Sequence, residues 1–182
     1  MSDTEALVAS LTEKEHGFTH VRDIAQKIWG GNAASRVWRI AWELYGAPEY
    51  QKRMCAVFLF GMLAVNDGEA LKVLKDEVAK DENWRVQEIL AQALDYWCRE
   101  RGYRKALPEI KRWLKADNPN TRRAVTEGLR VWTKRPYFKE HPEVAVGLIS
   151  SQAHDPNDYV RKSARNALRD VRRTHPELVA DL

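Results

Sequence analysis

Residues 155–171 read DPNDYVRKSARNALRDV, a polar turn that runs into a segment with one apolar face. Asp155 and Pro156 are residue types that interrupt regular structure. Small and aliphatic side chains then recur one helical turn apart, at Val160, Ala164, Ala167, Leu168 and Val171. This spacing predicts an amphipathic helix that begins just after the turn.

The same pattern recurs twice upstream. DENWRV begins at Asp81 and DNPNTRR begins at Asp117, so the three turns are 36 and 38 residues apart. A polar turn followed by a periodic helix at this interval is typical of an α-solenoid of HEAT type, in which helix pairs stack because none can bury its apolar face alone. We therefore predict an all-α protein, a right-handed superhelix of HEAT-like repeats with a concave basic face.

Helical spacing extends over most of the chain, and no segment alternates apolar and polar residues as a half-buried strand does. The predicted helices are about 20–29, 34–46, 48–64, 68–80, 83–100, 104–115, 119–133, 142–151 and 157–173. We expect a single repeat domain over residues 1–182, in which residues 1–32 form N-terminal capping helices.

Charge is unevenly distributed along the chain. Residues 1–98 carry 11 basic and 15 acidic side chains, whereas residues 99–182 carry 19 basic and 11 acidic ones. Such asymmetry suggests that one side of the protein meets an anionic partner.

Other features restrict the class of protein. The longest apolar run, residues 54–65, has too few residues for a bilayer span, which needs about 20. The N-terminus lacks the features of an export signal, and Cys55 and Cys98 lack metal or redox spacing. No phosphate-binding loop, dinucleotide-binding turn or zinc motif occurs. We expect a cytoplasmic monomer with no cofactor, no metal and no membrane contact.

Three predicted helices each carry a carboxylate in an unusual setting. Glu127 lies on one face with basic residues, Glu88 lies one turn after Trp84, and Asp170 shares a face with basic residues of the last helix. The plain interpretation is a set of surface ion pairs, each worth about 0.3–0.5 kcal/mol. The threefold coincidence favours a functional interpretation instead.

A carboxylate that faces DNA is unfavourable unless it meets positive charge. A base alkylated at a ring nitrogen is positive, and so is the sugar as its bond to that base breaks. A carboxylate placed there stabilises the developing charge and can orient water, and a tryptophan face attracts the cation. The combination suits excision of a cationic base from DNA.

The chain resembles the bacterial HEAT-like DNA alkylation repair glycosylases, the AlkC/AlkD superfamily. TRRAVTEGLR at 121–130 is similar to the Arg-Arg-x-x-x-Glu-Gly-x-Arg segment of the AlkC-like branch. YVRKS at 159–163, continuing to His175, looks like the final repeat shared by both branches. The resemblance is strongest over residues 81–179. It implies hydrolysis of the N-glycosidic bond of cationic N3- or N7-alkylpurines in double-stranded DNA.

The resemblance also implies roles for single residues. Glu127 would be the leading catalytic carboxylate and Asp170 a second acid, while Trp84 and Glu88 would support the lesion. The predicted catalytic set is thus Glu127, Glu88 and Asp170. Together with the basic track that the repeat register predicts, the DNA-binding set is Trp84, Arg85, Arg122, Arg123, Arg130, Trp132, Lys134, Arg135, Arg161, Lys162 and Arg165.

Two alternatives remain open at this point. The first is a HEAT-repeat DNA-binding module without catalysis, which recognises damaged or branched DNA and in which Glu127 is only an ion-pair partner. The second is a protein-interaction scaffold, a common role of solenoids.

Overall fold

The structure, a computed structural model, describes residues 3–132 and 134–179, and it does not describe the side chains of Val131 and Trp132. Its α-helices are α1 Asp3–Ser10, α2 Phe18–Gly30, α3 Ala34–Tyr45, α4 Tyr50–Ala64, α5 Gly68–Asp76, α6 Trp84–Arg101, α7 Tyr103–Trp113, α8 Pro119–Trp132, α9 Pro136–Glu140, α10 Pro142–Ser150 and α11 Asp158–Arg172. Short 3-10 turns follow at Val78–Lys80 and Pro176–Leu178. The described residues contain no strand.

The chain divides into two compact units, Met1–Trp97 and Cys98–Leu182, and the division falls within α6. Helix α4 forms the centre of the first unit, where it packs against α2, α3 and α5. Every residue of α4 from Met54 to Ala64 is buried, because the helix has neighbours on several sides. The apolar run at 54–65 is therefore a core helix, as its length indicated.

The second unit is built around the packing of α8 against α11. The apolar stripe of α11 that the sequence indicated is buried in full, from Val160 to Val171. Helix α10 packs on both α8 and α11, and α7 packs on α8 and α9.

An arginine–aspartate pair recurs at the repeat junctions of both units. In the first unit, Arg53 donates from Nε to Asp81 Oδ2 at 2.7 Å and from Nη1 to the carbonyl oxygen of Pro48 at 2.7 Å. In the second unit, Arg122 donates from Nε and Nη2 to Asp155 at 2.6 and 2.8 Å. These charged hydrogen bonds are largely buried, so they hold one repeat to the turn of the next.

Each of these arginines also closes the turn that precedes its own helix. Arg122 donates from Nη1 to the carbonyl oxygens of Ala116 and Asp117 at 2.7 and 2.8 Å. The fourth residues of α6 and α11, Gln87 and Arg161, donate in the same way to the carbonyl oxygen six residues earlier. The fourth residue of these helices therefore has the same structural role in several repeats: a long hydrogen-bond donor there binds the preceding turn.

Helices α4 and α6 approach closely at one glycine. A methyl group added at Gly61 would lie 2.9 Å from the Cβ atom of Ala93 and 3.1 Å from its Cα atom. A side chain at that position would push apart α4 and the helix that carries Trp84 and Glu88.

The prediction of an all-helical, HEAT-like repeat fold is confirmed. Each predicted helix has a counterpart among the described residues, but the α-helix predicted at 68–80 ends at Asp76 and is followed by the 3-10 turn Val78–Lys80. The elements outside the predicted ranges are the short helices α1 and α9 and the 3-10 turn Pro176–Leu178. Two helices, α1 and α2, occupy the segment predicted to cap the N-terminus. The single domain and the right-handed superhelix with its concave basic face stay predictions.

Candidate functional site

One cavity of the first unit is lined by three of the predicted site residues, Trp84, Arg85 and Glu88. It has a volume of about 340 Å³ and lies between the segment before α2 and the first turns of α4 and α6. Phe18 and Tyr50 also line it. The cavity is large enough for a single ring system such as a nucleobase.

The turn before α6 fixes where these residues lie. The side chain of Asp81 accepts a hydrogen bond from the backbone N–H of Asn83, and the side chain of Asn83 accepts one from that of Arg85, both at 2.9 Å. Helix α6 therefore begins at Trp84, and helical spacing places Glu88 one turn further along the same side.

Aromatic rings dominate the cavity wall. The side chain of Trp84 is 56% exposed and that of Phe18 is 43% exposed, which is uncommon for such large apolar groups. The hydroxyl of Tyr50 donates to the carbonyl oxygen of Glu15 and so joins α4 to the segment before α2. Among the rings lies the guanidinium group of Arg85, whose central carbon is 4.5 Å from the Trp84 ring centroid and 5.1 Å from that of Tyr50.

The arrangement in the cavity combines a half-buried carboxylate with aromatic faces. Aromatic faces attract cations through the ring quadrupole, and a carboxylate in a partly desolvated cavity stabilises nearby positive charge more strongly than it would in water. Glu88 and Trp84 thus form the kind of site that favours a flat cation.

The second unit holds the other two predicted carboxylates in an ion-pair network between α8 and α11. Glu127 accepts a hydrogen bond from Arg130 Nη1 at 3.0 Å on Oε2, and Arg123 Nη2 lies 3.5 Å from Oε1. The hydroxyl of Ser163 donates to the same Oε1 at 2.8 Å. The Glu127 side chain is only 13% exposed, so its charge is compensated within the protein.

Arg130 joins the two carboxylates. Its Nε donates to Asp170 Oδ2 at 3.1 Å while its Nη1 binds Glu127. The hydrogen bond to Glu127, together with that to Asp170, raises the pKa of Arg130 above its ordinary value. Arg173 lies 3.7 Å from Asp170 and extends the network towards the end of α11.

Two buried hydroxyl groups form a hydrogen-bonded chain that ends at Glu127, with Thr126 next to Ser163 and Ser163 bound to the carboxylate. Thr126 and Ser163 are almost completely buried, and their hydroxyl oxygens are 2.6 Å apart. Thr126 also hydrogen-bonds to the carbonyl oxygen of Arg123 at 2.9 Å. Neither residue is among those that the sequence predicted for the site. The sequence did carry a signal for Ser163. It is a small hydroxyl residue on the apolar face of α11, between Val160 and Ala164, where a polar side chain needs a buried partner.

The arginines near the repeat turns bind different groups of the protein. Arg122 is bound to Asp155 and to turn carbonyl oxygens, and Arg161 is bound to the carbonyl oxygen of Asp155 and to the carboxylate of Asp158. Arg123 is buried, with its guanidinium carbon 4.2 Å from the ring centroid of Tyr159. Their charged groups thus contact other groups of the protein itself, and an open basic track formed by these residues stays a prediction.

Other predicted basic residues are open to solvent. Lys134, Lys162 and Arg165 are exposed, and Arg135 is half-buried. Arg169 and Arg172, which the sequence analysis did not select, are exposed as well. They continue from Arg165 at i+4 and i+7, a spacing that could have identified them. The side chain of Trp132 lies outside the part of the chain that the structure describes.

The structure thus groups Trp84, Arg85 and Glu88 in the first unit, and Arg123, Glu127, Arg130 and Asp170 in the second. Within the described ranges, no cluster of three His, Cys, Asp or Glu side chains is arranged to hold a metal ion. Among the same residues, no helix combines the length and apolar character that crossing a bilayer requires.

Comparison with known proteins identifies the family. Residues 17–181 match the family described as DNA alkylation repair enzyme. Since this match extends over nearly the whole chain, the chain belongs to the DNA alkylation repair enzyme family, as its resemblance predicted.

Two solved structures from Streptococcus mutans are similar over almost all of the chain. The crystal structure of AlkD2 has a TM-score of 0.92 and 47% identity, covering 97% of this chain and 85% of that one. The crystal structure of smu.31 from strain UA159 has a TM-score of 0.90 and 44% identity, covering 98% and 88%.

A more distant relative is the uncharacterized protein YhaZ of Bacillus subtilis (strain 168), which is 33% identical over 79 residues. The match covers 41% of this chain and 22% of YhaZ, so the matched segment spans less than a quarter of that relative's length.

Proposed function

We propose that this protein binds double-stranded DNA and hydrolyses the N-glycosidic bond of cationic N3- or N7-alkylpurines as a monofunctional glycosylase. Membership of the alkylation repair family supports this proposal. The observation that carries it is the aromatic cavity of the first unit, where Trp84 and the carboxylate of Glu88 line one space of nucleobase size.

In the proposed reaction, the bond between C1′ of the deoxyribose and the purine nitrogen breaks. The bonding electrons leave with the base, which becomes neutral, and the sugar becomes transiently cationic. Glu88 stabilises that cation electrostatically and orients the water whose oxygen bonds to C1′. The water loses its proton to solvent, and the products are the free alkylpurine and an abasic site.

We assign the second unit to holding the DNA. The exposed side chains of Lys134, Lys162 and Arg165 are the proposed phosphate contacts, and each releases counterions on binding. Arg122 and Arg161 are left out of this set because their guanidinium groups bind the protein's own turns.

The proposal differs from the sequence-based ranking in one respect. Glu127 was the leading catalytic candidate, but its carboxylate is already paired with Arg123 and Arg130. In the aromatic cavity, the ring of Trp84 adds a face on which a flat cation can stack beside the carboxylate of Glu88. We therefore propose that Glu127 positions the two arginines and that Glu88 faces the reacting sugar.

Binding of DNA without catalysis is the second candidate function. The compensated charge of Glu127 favours it, because an ion-pair network of this kind needs no reaction to explain it. In that case the protein would recognise alkylated DNA and release no base.

The discriminating experiment is base release from duplex DNA that contains N7-methylguanine or N3-methyladenine, with an undamaged duplex as the control. We expect release of the methylated purine only. If the protein binds the damaged duplex but releases no purine above the spontaneous rate, the glycosylase proposal is wrong and the binding module stands.

DNA binding is tested separately through its salt dependence. Replacing Lys162 or Arg165 by Gln should weaken duplex binding and reduce the slope of log K against log salt by about one for each lost phosphate contact. Lys72→Gln, at an exposed site in the first unit, is the matched control and should leave the slope unchanged. Equal slopes for all three variants would remove these residues from the interface.

A further inference from the structure

Helix α7 has one apolar face and one basic face. It buries four side chains on one side, those of Tyr103, Ala106, Ile110 and Trp113. Because successive helical residues are about 100° apart, the opposite side of α7 collects one group of residues within an arc of about 120°. Pro108 belongs to this group, and the others form the α7 stripe: Arg104, Lys105, Lys111, Arg112 and, in the turn that follows the helix, Lys115.

The charge of the α7 stripe is largely uncompensated. All five side chains are exposed. Arg112 has a carboxylate partner, since its Nη1 lies 2.7 Å from Glu109 Oε2. Among the described residues, the other four cations of the stripe form no ion pair. Like charges one helical turn apart, such as Lys111 and Lys115, repel each other, and an anionic partner would relieve this repulsion.

The repeat architecture does not require such a face. The exposed residues of α5 include Glu69 and Lys72, which carry opposite charges, and those of α10 include Glu143 and Gly147. Solvated helix faces in both units are thus made without an excess of cations. The stripe is a local feature of α7.

The composition of the stripe fits a phosphate backbone better than a protein or a lipid surface. Protein interfaces are centred on aromatic anchors and are depleted in lysine, whereas the stripe holds only basic residues and Pro108. A helix that lies on a membrane inserts its apolar face, and the apolar face of α7 is already buried in the protein. Phosphate contacts need only the charged ends of lysine and arginine.

The stripe lies on a different side of the second unit from the proposed DNA contacts of α11. Because the apolar face of α7 packs on α8 and α9, the stripe points away from both helices. Helix α8 also packs on α11, which carries Lys162 and Arg165. A duplex held by α11 would therefore have to bend around α8 to reach the stripe, and DNA resists sharp bending over a few base pairs.

We propose that the α7 stripe binds the phosphates of a second DNA duplex while a first duplex occupies the proposed contacts of α11. The stripe is about 16 Å long at 1.5 Å per residue, and a duplex presents one phosphate for about every 1.7 Å of its axis. Several phosphates therefore lie within reach of the stripe. The inference goes beyond the proposed function, because it requires neither base release nor the aromatic cavity.

The test is capture of a fluorescent, undamaged duplex by the full chain already bound to an immobilised duplex at low salt. The wild type should capture it. A triple variant of the stripe, with Lys105, Lys111 and Lys115 changed to Gln, should reduce capture at least about tenfold and lower the slope of log K against log salt by about three. The matched control removes the same charge from exposed lysines of the first unit and should capture as the wild type does; its changes are Lys14→Gln, Lys27→Gln and Lys72→Gln.

The proposal is wrong if the wild type captures no second duplex, or if the triple variant of the stripe captures it as well as the wild type. Equal losses in the triple variant and its control would also contradict it, since net charge rather than the stripe would then be responsible. Thermal unfolding verifies that each variant is folded.

Vesicles that contain phosphatidylserine and a poly-glutamate peptide test the other anionic partners. Loss of binding to either one in the triple variant, with capture of the second duplex retained, would assign the stripe to a lipid surface or an acidic protein and overturn the DNA proposal.

The second site and the glycosylase proposal fail separately. The triple variant should release N7-methylguanine from a short damaged duplex at the wild-type rate, because the stripe lies outside the proposed reaction site. Capture without base release in the wild type would leave the second site standing and the glycosylase proposal wrong, whereas base release without capture would do the reverse.

Discussion

The two groups of candidate residues present carboxylates in opposite settings. In the first unit, Glu88 lines an aromatic cavity one turn from Trp84. In the second unit, Glu127 lies one turn from Arg123 and is bound by Arg130 and Ser163. The same i, i+4 spacing therefore places a carboxylate in the wall of an aromatic cavity in one helix and in an internal ion-pair network in another.

The difference shows that the partner one turn away decides what a helical carboxylate can do. A guanidinium partner neutralises the carboxylate and fixes its rotamer, which suits a scaffold. An aromatic partner leaves a face on which a flat cation can stack. The predictions that follow test the proposed division between a structural network in the second unit and a reaction site in the first.

The largest expected effect is a loss of stability when an arginine–aspartate pair at a repeat junction is broken. Each unit contains one such pair. Arg122→Met leaves Asp155 buried without its partner and should lower the free energy of unfolding by about 3 kcal/mol. Arg53→Met should cost a similar amount through Asp81. Urea unfolding is the measurement.

Arg165→Met, at an exposed site, is the control for these variants and should change stability by no more than about 0.5 kcal/mol. If Arg122→Met were as stable as the wild type, the junction would not depend on this pair. If only one of the two junction variants were destabilised, the units would not share a common scaffold.

The next effect concerns aromatic residues of the two regions. Trp84→Ala should slow release of N7-methylguanine by about ten- to a hundredfold, because it removes a stacking face worth about 1–3 kcal/mol. Tyr159→Ala removes the ring against Arg123 in the second unit and should slow release less than about threefold. Equal losses in single-turnover assays would remove the distinction between the two regions.

A smaller effect on stability is expected where α4 packs against α6, the helix that carries Trp84 and Glu88. Gly61→Ala should destabilise the protein by about 1–2 kcal/mol because the added methyl group meets Ala93. Gly147→Ala in α10, where a Cβ atom meets nothing within 4 Å, should stabilise it by up to about 1 kcal/mol through helix propensity. Thermal unfolding distinguishes the opposite signs, and a stabilised Gly61→Ala would mean that the helices can separate without cost.

The smallest effect is a pH dependence of the stability that the Arg122–Asp155 pair contributes in the second unit. Arg122 lowers the pKa of Asp155 in the folded protein. The pair's contribution is therefore complete at neutral pH and is lost as the pH falls below about 4, through the lowered pKa. The stability difference between wild type and Arg122→Met should narrow over that acidic range in urea titrations, and a difference that widens there would contradict the assignment.

Sequence periodicity predicted the repeats because burial of one helical face repeats every turn, and the stripe from Val160 to Val171 is buried as expected. The sequence did not indicate the short helix α9, which holds only five residues between Pro136 and Glu140. So few residues carry no periodic signal.

Neighbours on one helix were easier to predict than partners on different helices. The structure has Arg123 Nη2 3.5 Å from Glu127 Oε1, and it has Trp84 and Glu88 in the lining of one cavity. The pair of Arg122 with Asp155 spans 33 residues, and the approach of Tyr50 to Arg85 joins two helices. Helical spacing reports neighbours on one helix only, so the sequence left Arg122 and Arg85 as simple basic residues.

The most direct test compares two matched variants, Glu88→Gln and Glu127→Gln, in single-turnover release of N7-methylguanine from duplex DNA. We expect Glu88→Gln to slow release by a factor of about 100–1,000, as loss of one preorganised electrostatic group does, and Glu127→Gln to slow it by less than about tenfold. The reverse order would show that the carboxylate held by Arg123 and Arg130 performs the chemistry, and it would contradict the division between the two units.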